Sequence, residues 1–342
     1  MFGRNSFHGG IHPPAEKERT AHSPIALLPL PPKVIIRLEQ YAGIPANPLV
    51  RHGDYVRAGQ MIAELAEQVS SPIHASVSGK VLRIGLFSYP DGSRGPAIEI
   101  ENDGRREATE VTTMDKSWRE AAPGELARII TAAGVVDMGR TALPAQALLS
   151  PSSLSPIHTL IVSGVEDEPY VTADCRLMLE NTEEILTGTL IVKKILGAQR
   201  VFIAVEKTNQ QVVAKLSGSV KDPKYKDIVL ARLKPKYPQG SERMLTKTLA
   251  KKQVPSGGSP ADIGCIVINV ATAFAVFDAV VNGIPLYQRV VTVSGPAIRS
   301  PKNVLAPVGT PIRWLLDFCG AEADRLHKVV LGGPITGQAQ SD

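Results

Sequence analysis

The sequence predicts a multidomain chain of the α/β class: a small all-β barrel or sandwich, then a layered α/β domain, then a small β-grasp-like unit. Three observations predict it. The 342 residues exceed what one hydrophobic core usually covers. Turn signals recur at short intervals between residues 34 and 104, the rhythm of short paired strands. From 123 to 284 strand-like and helix-like stretches alternate, the pattern of a sheet layered with helices.

Taken in order, residues 1–33 are rich in Gly and Pro (Gly9-Gly-Ile-His-Pro-Pro14, Leu28-Pro-Leu-Pro-Pro32) and read as an extended leader. His8 and His12 lie in it, and such surface histidines more often cap backbone than ligate a metal. Val34–Leu38, Gly53-Asp-Tyr-Val-Arg-Ala-Gly59, Met61–Ala63 and Ala97–Glu101 carry strand signals, with a turn at Pro90-Asp-Gly92. Leu126, Ile129, Ile130 and Ala133 form a helical stripe closed by Gly134. Strands follow at 159–162, 201–205, 228–233 and 266–268, and helices from about Asp174, at 209–217, at 241–252 and after 268. Asp174 fits a helix N-cap. Beyond residue 285, Arg289–Ser294 and Asn303–Pro307 read as strands, and Pro311–Phe318 as a helix ended by Gly320.

Composition excludes several functions. Hydrophobic residues at 43% and charged residues at 21% are ordinary for a soluble globular protein. The net charge of +5 is scattered rather than striped, and aromatics are only 5%, so a nucleic-acid surface is not indicated. Cys175, Cys265 and Cys319 stand far apart without a Cys-x-x-Cys pair, which supplies neither a zinc site nor an iron–sulfur cluster. No secretory signal is visible at the N-terminus. The longest apolar run, Ile263–Val281, is broken by Asn269, Thr272 and Asp278 and reads as a strand followed by a helix, not a membrane span. Any membrane association must then use protein partners.

Several segments, in order over nearly the whole chain, resemble the RnfC family. They are Gly9–Pro14 with Lys17 and Thr20, Leu28-Pro-Leu-Pro31, Ser71-Pro-Ile-His-Ala-Ser-Val-Ser-Gly79, and Glu166-Asp-Glu-Pro-Tyr-Val-Thr-Ala-Asp174 with Arg176-Leu-Met178. Tyr237-Pro-Gln-Gly240 with Glu242, Val254–Gly258, Asn269 with Thr272, Val290–Gly295 and Gly332-Gly-Pro334 continue the match. The resemblance implies a barrel-sandwich hybrid domain at 34–104 and a Rossmann-like α/β domain at 123–284, similar to the flavin subunit of respiratory complex I. It implies an SLBB-like β-grasp domain and tail at 285–342. It also implies FMN and NADH as cofactors, integral-membrane Rnf subunits as partners, and a peripheral place on the cytoplasmic face of the cell membrane. The complex so assembled couples electron transfer between ferredoxin and NAD to ion translocation. By the same resemblance Gly134, Gly139, Glu166, Glu168, Asp174, Asn269 and Thr272 stand at cofactor-binding positions; as plain structure they would be caps and buried hydrogen-bond anchors. No catalytic residue and no metal ligand is assigned.

Two departures from the family pattern set further expectations. The chain ends where the module with two cubane clusters is expected to begin, so no cluster is expected in it. The glycine-rich flavin loop, A-G-I-V-G-x-G-G-A-G-F-P-T-H-x-K in the family, runs Ala133-Gly-Val-Val-Asp-Met-Gly-Arg-Thr-Ala-Leu-Pro-Ala-Gln-Ala-Leu148 here. Glycines let backbone N–H groups approach a phosphate. Asp137 places an anion there, Arg140 and Ala142 add side chains, and Leu148 replaces a lysine, so weak or lost FMN binding is expected. The alternatives are a competent FMN-dependent NADH dehydrogenase subunit and a non-catalytic adaptor or ligand-binding protein. The barrel-sandwich turn also suggests lipoyl or biotinyl carriers, but Glu64–Val69 lacks the carrier lysine.

Overall fold

The structure is a computed structural model, described for residues 6–66, 69–90, 92–110, 117–139, 141–150 and 156–340. The first unit is built on strands β1 (Lys33–Arg37), β2 (Gly79–Ser88) and β3 (Arg94–Asn102). With Tyr55–Val56 they form a four-stranded antiparallel sheet in the order β1-β3-β2-Tyr55–Val56. A second sheet of three short strands (Asn47–Pro48, Met61–Glu64, Ile73–His74) completes the sandwich. Alternation decides which face is inside: Val34 and Ile36 of β1 and Ile98 and Ile100 of β3 are fully buried against Ile62 and Val56.

The second unit has four strands, β4 (Thr159–Gly164), β5 (Arg200–Glu206), β6 (Ile228–Leu233) and β7 (Cys265–Asn269), all parallel, in the order β6-β5-β4-β7. Helices α1 (Pro123–Ala132), α2 (Ala173–Glu180), α3 (Thr182–Leu196), α4 (Gln210–Ser219) and α5 (Val270–Phe277) cover it. Central β4 is buried along its whole length, as a strand covered on both faces must be. Helix α3 lies so close to α5 that a Cβ at Gly188 would stand 1.8 Å from the Ala273 carbonyl oxygen, so that position admits only glycine. The helix expected at 241–252 is shorter, Glu242–Leu245 running into a widened turn at Thr246–Ala250. Asp174 is not an N-cap. It sits inside the first turn of α2, whose N-cap is Thr172, and its carboxylate faces another partner described below.

The third unit pairs β8 (Gln288–Val293) antiparallel with β9 (Lys302–Pro307) and packs them on α6 (Ile312–Phe318). The N-terminal segment is more than an extended leader: it forms a turn of helix at Glu18–Ala21, and Ala26–Leu27 adds a parallel strand to β9. The reason is a buried polar knot. Thr20, Thr172 and Asn303 are fully buried. The Thr172 hydroxyl bonds Thr20 Oγ1 at 2.7 Å, and Asn303 Nδ2 donates to the Thr20 carbonyl at 3.1 Å. The Thr292 hydroxyl donates to Asn303 Oδ1 at 2.7 Å. Burying such groups is tolerable only when each has a partner. Asn303→Ala is therefore expected to lower the free energy of unfolding by about 2–4 kcal/mol, because it strands several dry partners. Urea midpoints of the two proteins measure this, and a shift equivalent to less than about 1 kcal/mol would discount the knot.

Among the described residues no helix is long and apolar enough to cross a membrane.

Candidate functional site

In an open parallel sheet the ligand crevice lies beyond the carboxyl ends of the strands, where the strand order reverses. Here the chain runs from β4 outward through β5 to β6 and then returns to place β7 on the other side of β4. The crevice between the ends of β4 and β7 is bounded by Gly164–Val165–Glu166 and by Asn269, which opens α5.

The loop 135–144 enters this crevice. A bridge between Val136 and Pro144 closes its base, and Asp137 N–H donates to the Leu143 carbonyl at 2.8 Å. That leaves the Asp137 side chain 2% exposed at the head of α5. Its Oδ1 accepts from Asn269 N–H at 3.1 Å and from the Thr272 hydroxyl at 2.9 Å. Its Oδ2 accepts from Gly139 N–H at 3.1 Å and from the Thr141 hydroxyl at 3.1 Å. Backbone N–H groups and hydroxyls at a helix N-terminus are a general anion site, and here the anion is a carboxylate of the same chain. A Cβ at Gly139 would lie 2.7 Å from Asp137 Oδ2, so any other residue there would push the carboxylate aside. Ala142 keeps the loop's left-handed turn at φ +46°, a conformation costly for any residue but glycine. Leu148 is buried in the α/β core. Arg140 lies outside the described residues.

A string of polar groups leads away from Asp137. Asn269 Oδ1 caps α5 by accepting from Ala271 N–H at 2.6 Å, while its Nδ2 donates to Asp174 Oδ2 at 2.6 Å. Glu166 follows, its two oxygens accepting from Asp174 N–H at 2.8 Å and Cys175 N–H at 3.1 Å. Lys17 Nζ donates to the Glu166 carbonyl oxygen. Burial pushes the Glu166 carboxyl up to about 8, opposed by Lys17 and reinforced by Asp174. Burial likewise pushes Asp174 to about 6, opposed by its bond from Asn269 and by Lys17.

The structure thus links five of the seven positions expected from sequence in one polar string, Gly139, Asn269 and Thr272 bonded to Asp137, and Asp174 and Glu166 beyond Asn269. It separates the other two. Gly134 ends α1 with φ +68° and backs onto the sandwich, where a Cβ would meet the Pro72 carbonyl oxygen at 2.5 Å. Glu168 instead holds the C-terminal turn, accepting from Ile335 N–H at 3.0 Å and Thr336 N–H at 3.1 Å. Sequence reasoning misses Thr141 and Lys17 as site residues, because nothing local marks Thr141 as turning back to Asp137 or Lys17 as reaching the Glu166 carbonyl 149 residues on. The three cysteines are buried at separate places, and burial raises each thiol. Among the described residues no cluster of three or more His, Cys, Asp or Glu is placed to hold a metal.

Three family descriptions match in succession: the RnfC barrel sandwich hybrid domain over residues 5–105, the Nuo51 FMN-binding domain over 130–278 and the SLBB domain over 290–339. The chain is 42% identical over 337 residues to the C subunit of the proton-translocating ferredoxin:NAD(+) oxidoreductase complex of Clostridium ljungdahlii, covering 98% of this chain and 73% of that one. It is 39% identical to the C subunit of the ion-translocating oxidoreductase complex of Pseudomonas aeruginosa, over 100% of this chain but only 44% of the relative. With the C subunit of the Na(+)-translocating ferredoxin:NAD(+) oxidoreductase complex of Acetobacterium woodii it shares 34% identity, covering 98% of this chain and 75% of the relative. In fold alone it is similar to an NAD+-reducing [NiFe]-hydrogenase chain, with a TM-score of 0.51 at 19% identity over 58% of this chain and 39% of that one. The order of the three domains, and identity sustained from end to end of this chain, settle its kinship: the chain belongs to the RnfC family.

Proposed function

We propose that this chain is a peripheral subunit of an ion-translocating ferredoxin:NAD(+) oxidoreductase complex, held on the cytoplasmic face of the cell membrane by the complex's integral-membrane subunits, and that its own flavin site is degenerate. Membership follows from the relatives, which are subunits of such complexes by name. The degenerate site rests on one observation: the Asp137 carboxylate already takes the four donors at the head of α5. A phosphate arriving there would compete with the carboxylate for those four donors and would face a buried negative charge, so the residues present do not fit FMN. In this reading neither FMN nor NADH binds the chain well. Its work is to dock and brace, with another redox protein delivering electrons. The separate burial of Cys175, Cys265 and Cys319 supports the absence of an iron–sulfur cluster from this chain. The working division is residues 1–33, 34–104, 123–284 and 285–342, the first strapped to the last by the Ala26–Leu27 strand.

Co-expression tests the assignment. With the integral-membrane Rnf subunits present, the chain is expected to sediment with membranes, and without them to stay in the supernatant. Recovery in the supernatant in both cases would overturn the docking role. A flavin absorbance band in the protein purified alone would instead favour the competent FMN-dependent dehydrogenase.

A further inference from the structure

Beside the α5 crevice, a cavity of about 450 Å³ opens where the three units meet. Its walls come from the end of β1, from Ala142 of the loop, and from β8, β9 and the turn after β9. Two guanidinium groups line it. Arg37 lies with its plane 3.7 Å from the centre of the Tyr89 ring, and its Nε is fully buried without a hydrogen-bond partner. Arg289 projects from β8 into the same space, and among the described residues its side chain has neither a hydrogen bond nor an ion pair. Burial pulls the Arg289 guanidinium below the ordinary arginine range, with Asp137 opposing. Buried donors without acceptors are rare in folded proteins, because each one costs the desolvation it is not repaid for. Arg37 Nε is one such donor, and half-buried Arg289 brings to the same cavity a second guanidinium unpaired among the described residues, which together mark a place built to receive an acceptor.

The lining narrows what that acceptor is. Arginine forks match planar or tetrahedral oxyanions and take two oxygens apiece, so a pair of them suits a phosphate better than a lone carboxylate. The volume is far larger than a bare ion needs, and Tyr41, Val291 and Leu315 supply an apolar wall for an organic body. Glu39 also lines the cavity, an acceptor that disfavours ligands carrying a second anionic group. We propose that this junction is a binding site for a small phosphate monoester, with Arg37 and Arg289 gripping the phosphate. Because the site draws residues from three units, its occupant would tie the sandwich, the α/β loop and the β-grasp sheet together. The site adjoins the crevice at α5 through Ala142 of its loop, and it stands whether or not that crevice binds flavin.

Phenyl phosphate is a suitable probe, with inorganic phosphate and phenol as controls. Calorimetric titration is expected to give saturable phenyl phosphate binding with a Kd on the order of 0.1 mM. Inorganic phosphate should bind more weakly and compete, and phenol should not bind. Arg37→Gln and Arg289→Gln are each expected to weaken phenyl phosphate at least about tenfold, the effect of losing a charge-assisted pair. Hydrogen exchange on the unaltered protein locates the site without any variant: protection should appear at residues 37–41 and 306–310. Absence of saturable binding, protection at 137–141 and 269–272 instead, or affinity unchanged in both variants would each overturn the proposal.

Discussion

A chain carrying Asp137→Gly, Arg140→Gly and Ala142→Gly is expected to bind FMN at least about 100-fold more tightly than the unaltered chain, a difference of about 2.7 kcal/mol. Two effects act in the same direction. Removing the carboxylate releases Gly139 N–H, Asn269 N–H and the hydroxyls of Thr141 and Thr272 for a phosphate. It also removes a repulsion of about 4 kcal/mol between unit charges 4 Å apart at the effective dielectric of a protein surface. Glycine at 142 further relieves the left-handed turn now imposed on alanine. The lysine of the family pattern at position 148 is left out of this variant, because Leu148 is buried in the α/β core and a lysine there would oppose folding. Asp137→Gly alone carries a separate signature. It leaves the same donors without an acceptor, so the melting temperature should fall, and inorganic phosphate should restore it, while phosphate should not act through this crevice in the unaltered chain. Fluorescence titration with FMN reads the first effect. Micromolar binding by the unaltered chain that Arg37→Gln leaves unchanged, or no gain in the triple variant, would reject the plugged-crevice reading.

Stability is expected to fall as pH rises from about 5 to about 8, and Glu166 is the main cause. Its folded pKa is raised to about 8 from an ordinary 4.5, and that of Asp174 to about 6 from 3.8. Between those limits the folded state holds protons that the unfolded chain has released. The unfolded state therefore gains on the folded one with each step in pH, and the slope of stability against pH is negative. Shifts of this size correspond to several kcal/mol across the window. Glu166→Gln is the diagnostic variant. It has no titrating group but loses one acceptor for the N–H groups of Asp174 and Cys175, so it should be less stable than the unaltered chain near pH 5. The gap should narrow or reverse near pH 8. Parallel urea-midpoint profiles for the two proteins would remove Glu166 from this role.

Much of the molecule is legible from neighbouring residues alone. Strand alternation at Val34, Ile36 and Ile98, the α1 stripe closed by Gly134, and the apolar runs of β4 to β7 are properties of consecutive residues, so periodicity exposes them. The leader reads as extended because Pro and Gly suppress regular patterns. Its pairing with β9 depends on Leu27 meeting Leu305, and on Thr20 meeting Asn303, which no local pattern announces. Asp174 reads as a cap because Asp is common there, but Thr172 starts the helix and Asn269 claims the Asp174 carboxylate.

The sequence by itself determined the class of fold and the family, and by resemblance it set Asp137 where the family pattern has a glycine. It cast that anion only as a repellent. Tertiary structure decided what the charge does, because its partners Asn269 and Thr272 lie 132 and 135 residues further along the chain. A buried carboxylate is tolerated only where donors converge on it, and convergence is a property of the folded crevice between β4 and β7. The fold therefore makes of a charge that reads as damage a satisfied internal ligand.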